Sequence, residues 1–237
     1  MKDVGMSILS SVKDCFVPIH KKGYPFLLSG IAATIGLAFL STHLFWVALT
    51  ITIWVGYFFR DPQRTTPIAD GIVVAPAEGR VSMITEIAPP PELGLTNEPM
   101  LRISVFMSIF DCHINRMPVS GTISRIAYKP GKFFNAELDK ASDHNERNGL
   151  VVETPYGKIA VVQIAGLIAR RIEHWVSENQ HLEAGDRFGL IRFGSRLDVY
   201  LPLGTPLNVS VGQFAVVGET VLAHLNDRTN TGHFKTS

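Results

Sequence analysis

Apolar and polar positions along this chain follow two regimes. From Gly23 to Phe59 there is no charged residue, a run of about 37 where one membrane-spanning helix needs about 20. From about residue 66 the apolar runs become short and are punctuated by Gly and Pro: GIVVAPAEGRVSMI, MLRISVFMSIF, GTISRIAYKPG, GLVVETPYGKIAVVQIAG, RFGLIRFGSRLDVYLP and LNVSVGQFAVVGETVLAHL. Turn signals every 8 to 12 residues or so predict a β-rich domain of sandwich or barrel type.

The first regime reads as helices that meet lipid. Val4, Ile8, Val12 and Phe16 recur every four residues, which predicts a short amphipathic helix ended by Pro18. The uncharged run divides at Ser41, Thr42 and His43 into PFLLSGIAATIGLAFL and LFWVALTITIWVGYFF. Each block is about 16 residues, or about 24 Å of helix against a bilayer core of about 30 Å, so a tight hairpin or a monotopic pair is expected. Lys13, Lys21 and Lys22 precede the run and Arg60 and Arg64 follow it, which places both ends on the cytoplasmic side. A secretory signal is disfavoured by the late start, the length and the lack of a small-residue cleavage site. The charged, Pro-containing FFRDPQRTTP marks the boundary, giving a membrane-associating segment over 1–62 and a β-rich domain over 63–237.

Within the second regime, FFNAELDKASDHNERN is the one polar stretch that reads as helix or ordered lid. HLEAGDRFGLI and GQFAVVGETVLAHL, with IVVAPAEGRV, look like the turns of barrel-sandwich domains such as lipoyl and biotinyl carriers. No lysine stands at either hairpin tip, so this likeness concerns shape alone.

Composition narrows the function. Apolar residues are 46% and charged residues 18%, below the usual charged share of roughly 25%, in keeping with a membrane segment. A net charge of +1 and the absence of a basic stripe interleaved with aromatics argue against nucleic acid. Cys15 and Cys112 are far apart and read as reduced thiols. The eight histidines are dispersed without metal-ligand spacing, so no metal site is expected. Neither a phosphate-cradling Gly-rich loop nor Gly-x-Ser-x-Gly occurs.

Three places carry candidate chemistry. His113, in FMSIFDCHINRMPVSG, follows an apolar strand and precedes Pro118, at a strand end where side chains can line a cleft. Arg170 and Arg171 stand side by side in QIAGLIARRIEHWV and face opposite ways on a strand, to pair with carboxylates or to hold an anionic head group. In IRFGSRLDVYLP the alternation of Ile191, Phe193, Leu197, Val199 and Leu201 puts Ser195 on the apolar side, immediately after Gly194. Glycine there marks a bulge or a strained corner. A serine hydroxyl next to a strained peptide can attack the preceding carbonyl. The resulting ester can eliminate to dehydroalanine, and hydrolysis then leaves a pyruvoyl group. Such a carbonyl forms a Schiff base with an amine and accepts electrons as CO2 leaves. An ordinary Gly-Ser turn is the competing reading.

RFGSRLDVYLP, GKFFNAELDKASDHNERN, AGLIARRI, VAPAEGRV and FDCHINRMPVSG, in the order they occupy between about Arg60 and Leu225, strongly resemble the phosphatidylserine decarboxylase proenzymes in their short prokaryotic form. The resemblance implies a mainly β (α+β) fold, a barrel-sandwich-like pyruvoyl enzyme domain preceded by N-terminal membrane-associated helices. It implies self-cleavage between Gly194 and Ser195 into a β chain of 1–194 and an α chain of 195–237, with a pyruvoyl cofactor derived from Ser195 and no external one. The implied reaction converts phosphatidylserine to phosphatidylethanolamine and CO2 on the cytoplasmic face of a bacterial inner membrane, by a dimer of cleaved αβ units. His113 matches the histidine of the Asp-Tyr-His element tied to decarboxylation.

Two positions depart from the long-form pattern, which carries an Asp in a Pro-x-Asp-Gly turn and a second His three residues after the first. Here Glu78 and Arg116 stand there. Glu78 remains a carboxylate, but Arg116 stays protonated and cannot act as a base. Backbone strain with Glu78, His144 and His174 remain as candidates to assist cleavage, and Arg116 becomes a candidate ligand for the head group. A membrane-anchored adaptor without activity and a pyruvoyl decarboxylase of a soluble amino acid are the alternative functions.

Overall fold

The computed structural model of the protein describes residues 17–95, 97–134, 144–167, 171–192 and 194–226. The expected amphipathic helix over 4–16, the middle of the stretch from 133 to 148, Arg170 and Phe193 lie outside the described residues. The chain divides into two units, residues 1–63 and 64–237.

In the first unit, α1 (Tyr24–Ala38) and α2 (Thr42–Phe58) form an antiparallel pair. Pro25 sits in the first turn of α1, where its missing N–H costs nothing, and Ser41 caps α2 by accepting the His43 N–H. The helices touch through a buried hydroxyl pair, Thr34 Oγ1 to Thr52 Oγ1 at 3.1 Å. Outward they are apolar: Leu28, Phe39, Trp46 and Ile53 are all exposed. At 15 and 17 residues, among the described residues no helix is long and apolar enough to cross a membrane.

The second unit is mainly β, as expected. An eight-stranded antiparallel sheet runs β12 (Phe214–Ala215), β2 (Gly79–Ile87), β3 (Met100–Met107), β11 (Ser195–Leu201), β7 (Gly157–Ala165), β6 (Arg147–Thr154), β5 (Gly121–Lys129), β9 (His181–Leu182). A three-stranded sheet of β4 (Ile114–Arg116), β10 (Arg187–Ile191) and β8 (Ile172–His174) lies beside it, with a two-stranded ribbon of β1 (Ile72–Val74) and β13 (Val221–His224).

Period-two alternation explains the core. Ile103 and Val105 on β3, Leu197 and Val199 on β11, Ile159 and Val161 on β7, and Leu150 and Val152 on β6 share one buried cluster. The other face of the same strands is also covered, by Leu93, Met100, Val162 and Tyr200 among others. β11 is thus an interior strand, laddered to β3 and β7 along its length and buried at every residue.

The structure corrects one local expectation. IRFGSRLDVYLP is not a single strand with a bulge: Ile191 ends β10 in the three-stranded sheet, and Ser195 begins β11 in the eight-stranded one. The alternation of apolar residues survives because both strands bury one face, while the chain turns a corner between them.

Candidate active site

That corner is where Gly194 sits. Its φ is +61°, a left-handed conformation that costs an L residue roughly 1–2 kcal/mol. Space is not the constraint, since an added Cβ would meet only Ile109 Cγ2 at 3.9 Å. The backbone conformation alone calls for glycine.

Ser195 follows on the core face, opposite Met107 of β3 and Ala165 of β7. It is fully buried, and its Oγ finds no hydrogen-bond partner among the described residues. A buried hydroxyl in that state carries a desolvation penalty of about 1–3 kcal/mol that a structural serine normally avoids by bonding to backbone.

His113 meets this corner from the segment before β4. It is fully buried, and its Nδ1 lies 2.9 Å from the Asp111 carbonyl oxygen. A carbonyl only accepts, so Nδ1 carries the proton and Nε2 presents a lone pair. That lone pair accepts the N–H of Gly194 at 3.4 Å. The imidazole is therefore held with Nδ1 donating and Nε2 accepting from the Gly194 N–H, one residue before Ser195.

The Pro-Ala-Glu-Gly turn between β1 and β2 braces the same segment from both sides of the ring. Glu78 Oε1 accepts the Cys112 N–H at 3.1 Å, and the Pro76 carbonyl accepts the Arg116 N–H at 3.0 Å. Glu78 is itself paired with Arg64, through its second oxygen. Gly79 lets the turn pass close to β3: a Cβ there would fall 2.0 Å from the Phe106 carbonyl oxygen. Glu78 thus holds the backbone immediately before His113.

A chain of amides ties β4 to the sheet at this end. Asn148 donates to Gln163 Oε1 at 3.0 Å, Gln163 donates to Asn115 Oδ1 at 2.8 Å, and Asn115 Nδ2 lies 3.7 Å from Met107 Sδ. All three amides are fully buried. Gln163 and Asn148 escaped the sequence reading, although each interrupts an apolar face, Gln163 after Ile159 and Val161, and Asn148 before Leu150 and Val152. Met107 faces Ser195 across the ladder, so the amide chain ends on the residue opposite the serine.

The remaining candidates are placed differently. Arg116 is buried, and its Nη1 donates to the Gly185 carbonyl at 2.8 Å. Arg171 is exposed, and its carbonyl accepts the Arg192 N–H at 3.3 Å, two residues before Gly194. His144 and His174 are both exposed, His174 with its Nδ1 on the Val176 carbonyl at 3.2 Å.

Behind β11, on the face away from Ser195, Arg196 and Asp198 form a two-point pair at 2.8 and 2.9 Å. Tyr200 follows on that face, its hydroxyl pushed up to about 12 by burial and by the negative charge of Asp198. These groups hold the strand and do not reach the core side.

A groove of about 450 Å³ lined by Pro67, Asp70, Ser120, Tyr156 and Glu183 among others contains none of these residues. Ser120 there donates to Glu183 Oε2 at 2.6 Å, and His181 Nε2 lies 3.3 Å from Glu183 Oε1. The carboxylate stands between serine and histidine, so the ring cannot act on the hydroxyl and the set is not a nucleophile pair. Among the described residues no group of His, Cys, Asp or Glu could hold a metal ion.

The model of the family described as phosphatidylserine decarboxylase matches residues 51–223, a span that includes the Pro-Ala-Glu-Gly turn, His113 and the Gly194–Ser195 corner.

Proposed function

We propose, because the chain belongs to the phosphatidylserine decarboxylase family and is therefore a carboxy-lyase acting on phosphatidylserine, that it makes its own pyruvoyl group by serinolysis at Gly194–Ser195. The observation that carries this reading is the conjunction of a left-handed glycine with a fully buried serine hydroxyl that lacks a partner.

The chemistry fits those residues. Ser195 Oγ attacks the Gly194 carbonyl carbon, and the peptide becomes an ester. Loss of the Cα proton with cleavage of the Cβ–Oγ bond releases chain 1–194 with a carboxylate at Gly194. Water then replaces the nitrogen at residue 195 and ammonia leaves. A pyruvoyl carbonyl at that position supplies an electrophile for the substrate amine and an electron sink when CO2 departs. The chain's part in the second reaction is placement: the β11 ladder keeps residue 195 buried between β3 and β7, and His113 Nε2 is the nitrogen positioned to return a proton to the substrate carbon.

Arg171, and with it Arg170, is assigned to the anionic head group, and Arg116 supplies a buried positive charge three residues from His113. Glu78 serves by bracing the Cys112 N–H. The two apolar helices rest on lipid, and their exposed Leu28, Phe39, Trp46 and Ile53 support a peripheral or hairpin attachment to the cytoplasmic face of the inner membrane. The working unit is a dimer of cleaved αβ units.

Substrate class is tested by CO2 release from vesicles containing phosphatidylserine against free serine and free aspartate. Release from vesicles alone is expected. Equal release from a free amino acid would move the protein to the soluble-substrate alternative.

A further inference from the structure

We infer that His113 is the base that starts self-cleavage, an assignment that rests on the serinolysis reading above and gives the ring a role before decarboxylation. The position three residues after it is occupied by Arg116, which remains a cation and donates to the Gly185 carbonyl. Both Glu78 oxygens are engaged, one by Arg64 and one by the Cys112 N–H. His144 is exposed with its ring edge toward Phe134, centroids 6.3 Å apart, and His174 is exposed on a carbonyl of its own turn. His113 alone among these places a basic nitrogen on the residue whose carbonyl is attacked.

The tautomer is the required one. The Asp111 carbonyl fixes the proton on Nδ1, as a general base needs when the other nitrogen is to receive a proton. His113 Nε2 gives up the Gly194 N–H and takes the hydroxyl proton as Ser195 Oγ bonds to the Gly194 carbonyl carbon. Collapse of that adduct breaks the Gly194–Ser195 C–N bond, and the same proton passes from Nε2 to the departing Ser195 nitrogen. No oxidant or further reactant enters this step. Glu78 and Pro76 act as positioning groups, because they hold the backbone on either side of the ring.

The test compares chain cleavage in the full-length protein carrying His113→Gln or His113→Ala with the wild type and with Ser195→Ala. Glutamine at 113 can still accept the Gly194 N–H but is no base. Loss of a general base slows a reaction by about 10²-fold or more, so both His113 variants are expected to remain uncleaved, with imidazole restoring cleavage to His113→Ala. Cleavage of His113→Gln at the wild-type rate overturns the inference, as does a wild-type chain cleaved equally fast at about pH 5.5 and 7.5, where histidine changes charge. This last measurement needs no variant to fold. The charged groups near the ring along the chain are Asp111 and Arg116 on its own segment, Glu78 with Arg64 at the turn that bonds Cys112, and Arg192 with Glu173 just before Gly194; each of those two glutamates faces an arginine. A wild-type chain that never cleaves would instead remove the serinolysis reading itself.

Discussion

Arg196 and Asp198, two residues apart on β11, form a buried two-point ion pair immediately downstream of the proposed cleavage site. Both belong to the 195–237 side, so the pair survives cleavage and fixes the strand whose first residue becomes reactive. Removing one partner leaves an unpaired buried charge, which costs about 3–5 kcal/mol. Arg196→Ala is expected to lower stability to urea by that amount, and replacing both by apolar residues of like volume to cost much less. Equal losses in the single and double variants would show that the pair does not act as a unit.

Gln163 stands in the middle of the amide chain from Asn148 to Asn115. Gln163→Leu orphans an amide on each side, at about 1–3 kcal/mol apiece. Equilibrium unfolding should show a loss of about 2–6 kcal/mol, and chain cleavage should slow because β4 is no longer tied to the strand facing Ser195. Unchanged stability would contradict the packing described.

Gly194→Ala meets open space but keeps a φ of +61°, a strain of roughly 1–2 kcal/mol for an L residue. Relief of that strain requires the corner to move away from His113. Pulse-labelled chains should therefore cleave about 5-fold to about 30-fold more slowly than wild type at one temperature. Unaltered cleavage would show that the corner's conformation is unimportant.

Tyr200 gives a pH dependence with a definite sign. Its ionisation is raised from 10.0 to about 12 in the folded protein, chiefly by burial. A raised folded value means stability is fully present below 10.0 and is lost as pH climbs toward about 12. The loss amounts to something on the order of 2–3 kcal/mol. Tyr200→Phe removes the ionisation, so the stability difference between wild type and variant should shrink steadily above pH 10 in urea melts. A constant difference would mean that Tyr200 does not ionise in that window.

Much of this was legible in the chain. The uncharged run between Gly23 and Phe59 and the Gly- and Pro-punctuated strands separate the helical pair from the β unit, because solvent exposure writes its period directly into residue type. Gly194, Ser195 and His113 stood out as residue types in unusual places. What the pattern concealed was the corner. Apolar alternation runs through Ile191 and Leu197 alike, since strands in two different sheets can bury the same face, and nothing local says that the ladder partners change. The bracing of Cys112 by Glu78 and the bond from Gln163 to Asn115 link residues 34 and 48 apart. Such pairings depend on tertiary register rather than on local propensity. The place of Arg116 on the Gly185 carbonyl was hidden for the same reason.

The central claim is that this chain cuts itself at Gly194–Ser195 and converts Ser195 into a pyruvoyl group. The intact mass of the purified protein under denaturing conditions tests it most directly. Two chains are expected, 1–194 and 195–237, the second of 43 residues and lighter by one ammonia than the same chain beginning with serine. A single chain of 237 residues, or a small chain with an unmodified serine at its start, would contradict it.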